Sequence, residues 1–164
     1  MIGIEACGVG LGTTAFVAYI ASTTHPLYTA TQFALLSSAA AILGRPFAIR
    51  GEVIHGDKRG RTIGVPTANI ALGDYMRPAY GVYATRSRLP DGRVIDGVAS
   101  LGVRPMYALE TPLLEVWLFD FDGDLYGQTL DTQLIAWLRG EETFDGLDAL
   151  KTQIDADAAA ARTI

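Results

Sequence analysis

From Phe47 onward, apolar and polar side chains alternate in short bursts, the period of a half-buried strand. "FAIRGEVIHG" (47–56) alternates weakly. "YGVYATRS" (80–87) and "RVIDGVASL" (93–101) flank "RLPDGR", whose Pro90-Asp91-Gly92 is turn chemistry. "LLEVWLFDF" (113–121) alternates, "DGDLYGQ" (122–128) turns, and "TLDTQLIAWLR" (129–139) alternates again. Strands at this spacing predict an antiparallel barrel or sandwich. The tail changes period: "FDGLDALKTQIDADAAAAR" puts Leu147, Leu150, Ile154 and Ala158 on one helical face, with Asp145 as its N-cap. The pattern therefore predicts a mainly β domain, a small barrel closed by a C-terminal helix.

Residues 1–43 follow a different rule and form a separate unit ahead of residues 44–164. From Ala6 to Gly44 no Lys, Arg, Asp or Glu occurs. "YTATQFALLSSAAAILGRP" carries helix punctuation: Thr29 as N-cap with Gln32 three residues on, Gly44 past the end and Pro46 as a stop. "ACGVGLGTTAFVAYIASTT" is apolar but broken by glycines and threonines. That is marginal against the roughly 20 predominantly apolar residues of a spanning helix. A membrane contact by residues 1–43 and a helical pair packed on the main domain both fit this pattern. Glu5 and the lack of a basic start argue against a secretory signal.

Composition narrows the class. The chain has 164 residues, 49% hydrophobic and 19% charged, which suits a packed core. A net charge of −5 argues against a nucleic-acid partner. A single cysteine, Cys7, provides no internal disulfide and suits a reducing, cytoplasmic setting. The charge is uneven: residues 44–64 hold five Lys/Arg against two acids, whereas residues 115–164 hold eleven acids against three bases. An anion would be drawn to the first segment, although a solvated basic loop would carry the same charge.

The candidate chemistry falls in that segment. "GEVIHGDKRGRTIG" sets Gly51, Gly56, Gly60 and Gly64 among His55, Lys58, Arg59 and Arg61. Glycines permit close backbone approach, and cations with free amides suit phosphate. The run is neither a Walker A loop nor a G-x-G-x-x-G. It leads into "VPTANI", where Pro66 precedes Thr67 and Asn69, two hard oxygen donors on one face of an extended segment. Mg²⁺ takes such oxygens and fills its shell with phosphate and water. A polar turn with an Asx-type hydrogen bond is the plainer reading of the same residues. Phosphoryl transfer also uses a base to take the acceptor's proton. Glu115, on an otherwise apolar strand, is the candidate, and an exposed strand-face Glu would look the same.

Two resemblances follow. Residues 8–45, in particular "GLGTTAFVAYIASTTHPLYTATQFALLSSAAAILGR", resemble one transmembrane stretch of the muropeptide-permease transporters of the major facilitator type. Those need many spans, so transport does not follow from the fragment, and a fusion or a mis-joined reading frame is the expectation.

The second resemblance covers residues 44–164. "GEVIHGDKRGRTIGVPTANI", "YGVYAT", "GVASLGVRP", "LLEVWLFDFDGDLYGQ" and "RGEETFDGLDALKTQIDADAAAAR" occur in the order found in the kinase domain of bacterial bifunctional riboflavin kinase/FAD synthetases. The resemblance implies a six-stranded antiparallel barrel with a C-terminal helix. It also implies transfer of the ATP γ-phosphate to the terminal ribityl hydroxyl of riboflavin, giving FMN. By it, Thr67 and Asn69 hold the metal and the ATP phosphates, Glu115 is the base, and the glycine loop covers the nucleotide. Arg139 and the Asp120–Tyr126 segment lie toward the flavin. Met106, Trp117 and Gly140 depart from the common Thr, His and Pro of that family. The histidine-bearing motif of the adenylyltransferase domain has no counterpart in residues 1–43, so FAD synthesis is not expected of this chain. A flavin- or nucleotide-binding barrel without turnover is the alternative.

Overall fold

The computed structural model describes residues 44–56, 60, 63–103 and 112–164. The helical extension expected over residues 1–43 lies outside the described residues, as do Lys58, Arg59, Arg61 and Met106.

Six strands form: β1 (Ala48–Ile54), β2 (Ala68–Ala71), β3 (Gly81–Arg88), β4 (Val94–Gly102), β5 (Leu113–Leu118) and β6 (Thr129–Arg139). They close into an antiparallel barrel in the order β1-β2-β5-β4-β3-β6. Closure leaves no sheet edge unpaired. β2, only four residues, joins β1 to β5, and no alternation in "ANIA" announces it. Two register shifts in the β3–β6 ladder bend β6 around the barrel.

Alternation sorts each strand between an inner and an outer face. Inside lie Ile49 and Val53 of β1, Ile70 of β2, Tyr83 of β3, Leu101 of β4, Leu114 and Val116 of β5, and Leu130 of β6. Inside, the Ser87 and Thr132 hydroxyls share a 3.0 Å hydrogen bond, and the Tyr83 hydroxyl donates to the Ala79 carbonyl at 2.6 Å, whereas the buried Thr85 hydroxyl has no partner among the described residues. Burial pushes the Tyr83 phenol well above its ordinary pKa.

The helix, α1 (Leu147–Ala161), covers the outer face where Val82, Ala84, Val98 and Phe119 meet Ala158 and Ala161. Two expectations are corrected here. Gly146 is the N-cap, with φ 111 and no side-chain cap bond, in place of Asp145. The chain must turn through a left-handed conformation to enter the helix, and glycine adopts it at no steric cost. Leu147, expected on the buried face, is 64% exposed. The helix docks through its C-terminal half, where small alanines allow close approach, and its first turn runs beyond the apolar patch. The buried face includes Asp157, held by Arg139 through contacts of 2.8–3.1 Å and by the Gln153 amide. Among the described residues no helix is long and apolar enough to cross a membrane.

Candidate active site

The register places side chains that the sequence leaves far apart in one row. Ile54 of β1 lies opposite Asn69 of β2, Asn69 opposite Glu115 of β5, and Glu115 opposite Ser100 of β4. The row continues through Val82 to Arg139. Neighbours in such a row have Cβ atoms about 4.5–5.5 Å apart. Ile70, Leu114, Val116, Ala99 and Leu101 point inward, so Asn69, Glu115 and Ser100 share the outer face. The candidate phosphate ligand and the candidate base are thus direct cross-strand neighbours.

Asn69 is buried, and its Oδ1 has no hydrogen-bond partner among the described residues. A buried carbonyl oxygen left unpaired costs free energy unless a ligand satisfies it. No group of three or more His, Cys, Asp or Glu among the described residues is placed to hold a metal ion. A cation here would therefore rest on the Asn69 oxygen, the Thr67 hydroxyl and oxygens of its own phosphate ligand. That donor set fits Mg²⁺.

The segment before β2 forms the rim of a cavity of about 380 Å³ in the barrel mouth. Val53, Ala68, Val116 and Leu118 are its floor, Pro66 and Thr67 one side, and the loop Phe121–Tyr126 the other. This volume suits a small ligand. The loop that the family resemblance puts near the flavin therefore borders the same cavity as Thr67, assigned to the nucleotide. His55, just past β1, stacks on Tyr126 with ring centroids 3.9 Å apart. The far end of the loop is pinned to β1 by Gly127 N–H to Val53 O and Val53 N–H to Gln128 O, both 2.9 Å.

The glycines divide by role. Gly51 is not in the loop: β1 continues through Ile54, and a Cβ at Gly51 would overlap Ile70 in the core. Gly56 packs against the Asn69 carboxamide, with no room for a Cβ. Gly60 lies against Val65, whose N–H donates to the Gly60 carbonyl at 2.8 Å, so the loop folds back onto the rim. Gly64 has φ 83 and makes the left-handed turn into Val65-Pro66.

Arg139 stands at the far end of the row from Asn69. Its guanidinium grips Asp157, donates to the Gly140 carbonyl at 3.0 Å and lies 5.5 Å over the Phe144 ring. It ties α1 to β6. Trp117, where the family commonly has His, packs edge-on to Phe119 under the helix, with centroids 5.4 Å apart.

The family's sequence model, described as riboflavin kinase (flavokinase), matches residues 43–164. The chain belongs to the riboflavin kinase family. A Haemophilus influenzae bifunctional riboflavin kinase/FMN adenylyltransferase is 46% identical over 127 residues, 77% of this chain and 41% of that protein. The chain thus spans about two-fifths of such relatives. The solved riboflavin kinase from Trypanosoma brucei superposes with a TM-score of 0.53 at 25% identity, over 72% of this chain and 78% of that one. A solved Streptococcus pneumoniae chain described as a macrolide-efflux protein superposes with a TM-score of 0.71 at 38% identity, over 79% of this chain and 43% of that one. That share is more than residues 8–45 supply, so this likeness is not evidence for the transporter resemblance of those residues. For the riboflavin kinase family the six-stranded antiparallel barrel with one C-terminal helix is as the motifs imply.

Alternation within "VASLG" and "LLEVWL" assigns faces but not partners. Ser100, the His55–Tyr126 stack and the contacts of Arg162 with Phe119 and Asp120 therefore had no signal in the sequence.

Proposed function

We propose that this domain phosphorylates riboflavin with ATP, giving FMN and ADP. The observation that carries the reading is the direct cross-strand pairing of Asn69 and Glu115 on the outer face, one residue along β2 and β5 from Ala68 and Val116, which line the mouth cavity. The nucleotide base occupies the cavity and the phosphate chain passes over Pro66 and Thr67 toward Asn69. Riboflavin lies on the outer face, its ribityl terminus at Glu115. Because Thr67 lines the cavity, the nucleotide takes the cavity and the flavin the outer face.

Asn69 Oδ1 and the Thr67 hydroxyl would hold Mg²⁺, which supplies charge neutralisation to the phosphates. The Glu115 carboxylate accepts the proton of the terminal ribityl hydroxyl. That oxygen bonds to the γ-phosphorus as the bond to the β–γ bridging oxygen breaks, and ADP leaves. Thr67 and Asn69 act through positioning, the main contribution a protein makes to phosphoryl transfer. The glycine loop covers the phosphates with its amides; Lys58, Arg59 and Arg61, outside the described residues, are its cations. Arg139, at the end of the same row, holds the helix beside this face.

The test is chromatography of flavins after incubation with ATP, Mg²⁺ and riboflavin. The parent chain accumulates FMN. Glu115→Gln keeps the shape and removes the proton acceptor, so turnover falls by about 10²–10⁴-fold with nucleotide affinity unchanged. No FMN from the parent would favour the non-catalytic binding barrel; near-parent turnover in Glu115→Gln would remove Glu115 from the role.

A further inference from the structure

The loop after β5 is anchored at its far end by β1, but its near end is held from elsewhere. Asp120 is the one non-glycine among the described residues with positive φ, at 54°. A left-handed Asp is uncommon and needs support. The support comes from the C-terminal end of α1: Arg162 Nη1 and Nη2 reach the two Asp120 carboxylate oxygens at 3.0 and 3.3 Å. The same guanidinium lies 4.2 Å over the Phe119 ring. Phe119 N–H donates to the Asp96 carbonyl at 3.0 Å, so the turn is also tied to β4. One residue further on, Phe121 begins the wall of the cavity.

We infer that Arg162 is a positioning residue for the nucleotide: its fork on Asp120 and stack on Phe119 hold the Phe119–Asp120 turn, which sets the Phe121–Tyr126 wall before ATP arrives. The inference rests on the reading that ATP occupies the mouth cavity. The ion pair itself is exposed, with side chains 49% and 80% accessible, and such pairs contribute little to global stability. Its effect is local. A binding wall held in place for only part of the time lowers apparent affinity by that fraction. Glu115 is held by its pairing with Asn69 and Ser100 inside the barrel sheet, so the reacting groups there do not depend on the turn.

The test compares Arg162→Gln with the parent chain of 164 residues, and uses Arg86→Gln as control. Arg86 makes a similarly exposed ion pair with the Asp96 carboxylate at 2.7 Å; only the Asp96 backbone carbonyl, fixed by the β3–β4 ladder, contacts the Phe119–Asp120 turn. The first measurement is hydrogen exchange of the ligand-free protein. Amides 121–126 exchange faster in Arg162→Gln and not in Arg86→Gln. The second is steady-state kinetics at saturating riboflavin. KM for ATP rises roughly tenfold in Arg162→Gln, since ordering a loop on binding costs on that scale, while kcat stays at the parent value. Arg162→Lys, which keeps charge but not the fork, falls between. Unchanged exchange in the loop overturns the clamp whatever the chemistry of the site. Faster exchange with an unchanged ATP KM, or an equal change in the Arg86→Gln control, overturns the positioning role. A parent that makes no FMN overturns the proposed function itself, and the nucleotide role with it.

Discussion

Gly56→Ala adds one methyl group and no charge, yet it should separate activity from stability. The new Cβ would overlap the Asn69 carboxamide. Carbon belongs about 3.5 Å from such an atom, so the amide must swing away by more than about 1 Å. It is the free end of a side chain, so the barrel need not move with it. Substituting Ala for Gly also removes unfolded-state freedom worth about 0.4–1 kcal/mol where the backbone conformation suits, and Gly56 is not among the positive-φ glycines. Stability should therefore stay within about 1 kcal/mol of the parent. The Asn69 oxygen, however, leaves the position next to Glu115. A misplacement of about 1 Å in a positioning group costs about 10²-fold, so kcat/KM for ATP should fall by that order. Gly51→Ala is the contrast. Its Cβ meets Ile70, fully buried in the barrel, and overpacking costs about 1–3 kcal/mol, with the ATP KM of the folded protein unchanged. Urea midpoints and ATP titrations of FMN formation measure both arms. A Gly56→Ala protein with parent-like ATP kinetics would refute the Asn69 assignment.

Asp157→Ala leaves Arg139, only 17% exposed, without its partner; the loss should be about 3–5 kcal/mol, read from the urea midpoint. Arg139→Met combined with Asp157→Leu should recover much of it. Tyr83→Phe orphans the Ala79 carbonyl and should cost about 1–3 kcal/mol at neutral pH. Because burial raises the Tyr83 pKa above its ordinary 10.0, the phenol contributes fully below that pH. Above it the unfolded chain loses the proton first, so parental stability falls as pH rises. Tyr83→Phe should show a shallower alkaline decline in denaturation curves at pH 9 to 11, and an unaltered slope would contradict this.

Much of the fold was legible because it depends on local period. "TLDTQLIAWLR" coincides with β6, and "LLEVWL" within the predicted run coincides with β5, since Thr129, Asp131, Gln133 and Glu115 interrupt the inward apolar residues at the period of a strand. β2 was not legible: four residues with Asn69 facing out carry too little alternation, and the strand exists because β1 and β5 offer it partners on both sides. The helix was readable as a helix but not in its docking, because Asp157 is buried only by virtue of Arg139, 18 residues earlier. The same division holds for the site. Residue type and spacing singled out Thr67, Asn69 and Glu115, and the family motifs gave them roles. That Asn69 and Glu115 stand side by side is a matter of register, set by barrel closure among strands 46 residues apart in the chain. Ser100 joins them, and Arg162 reaches the turn that precedes the cavity wall, for the same reason: long-range contacts decide neighbours.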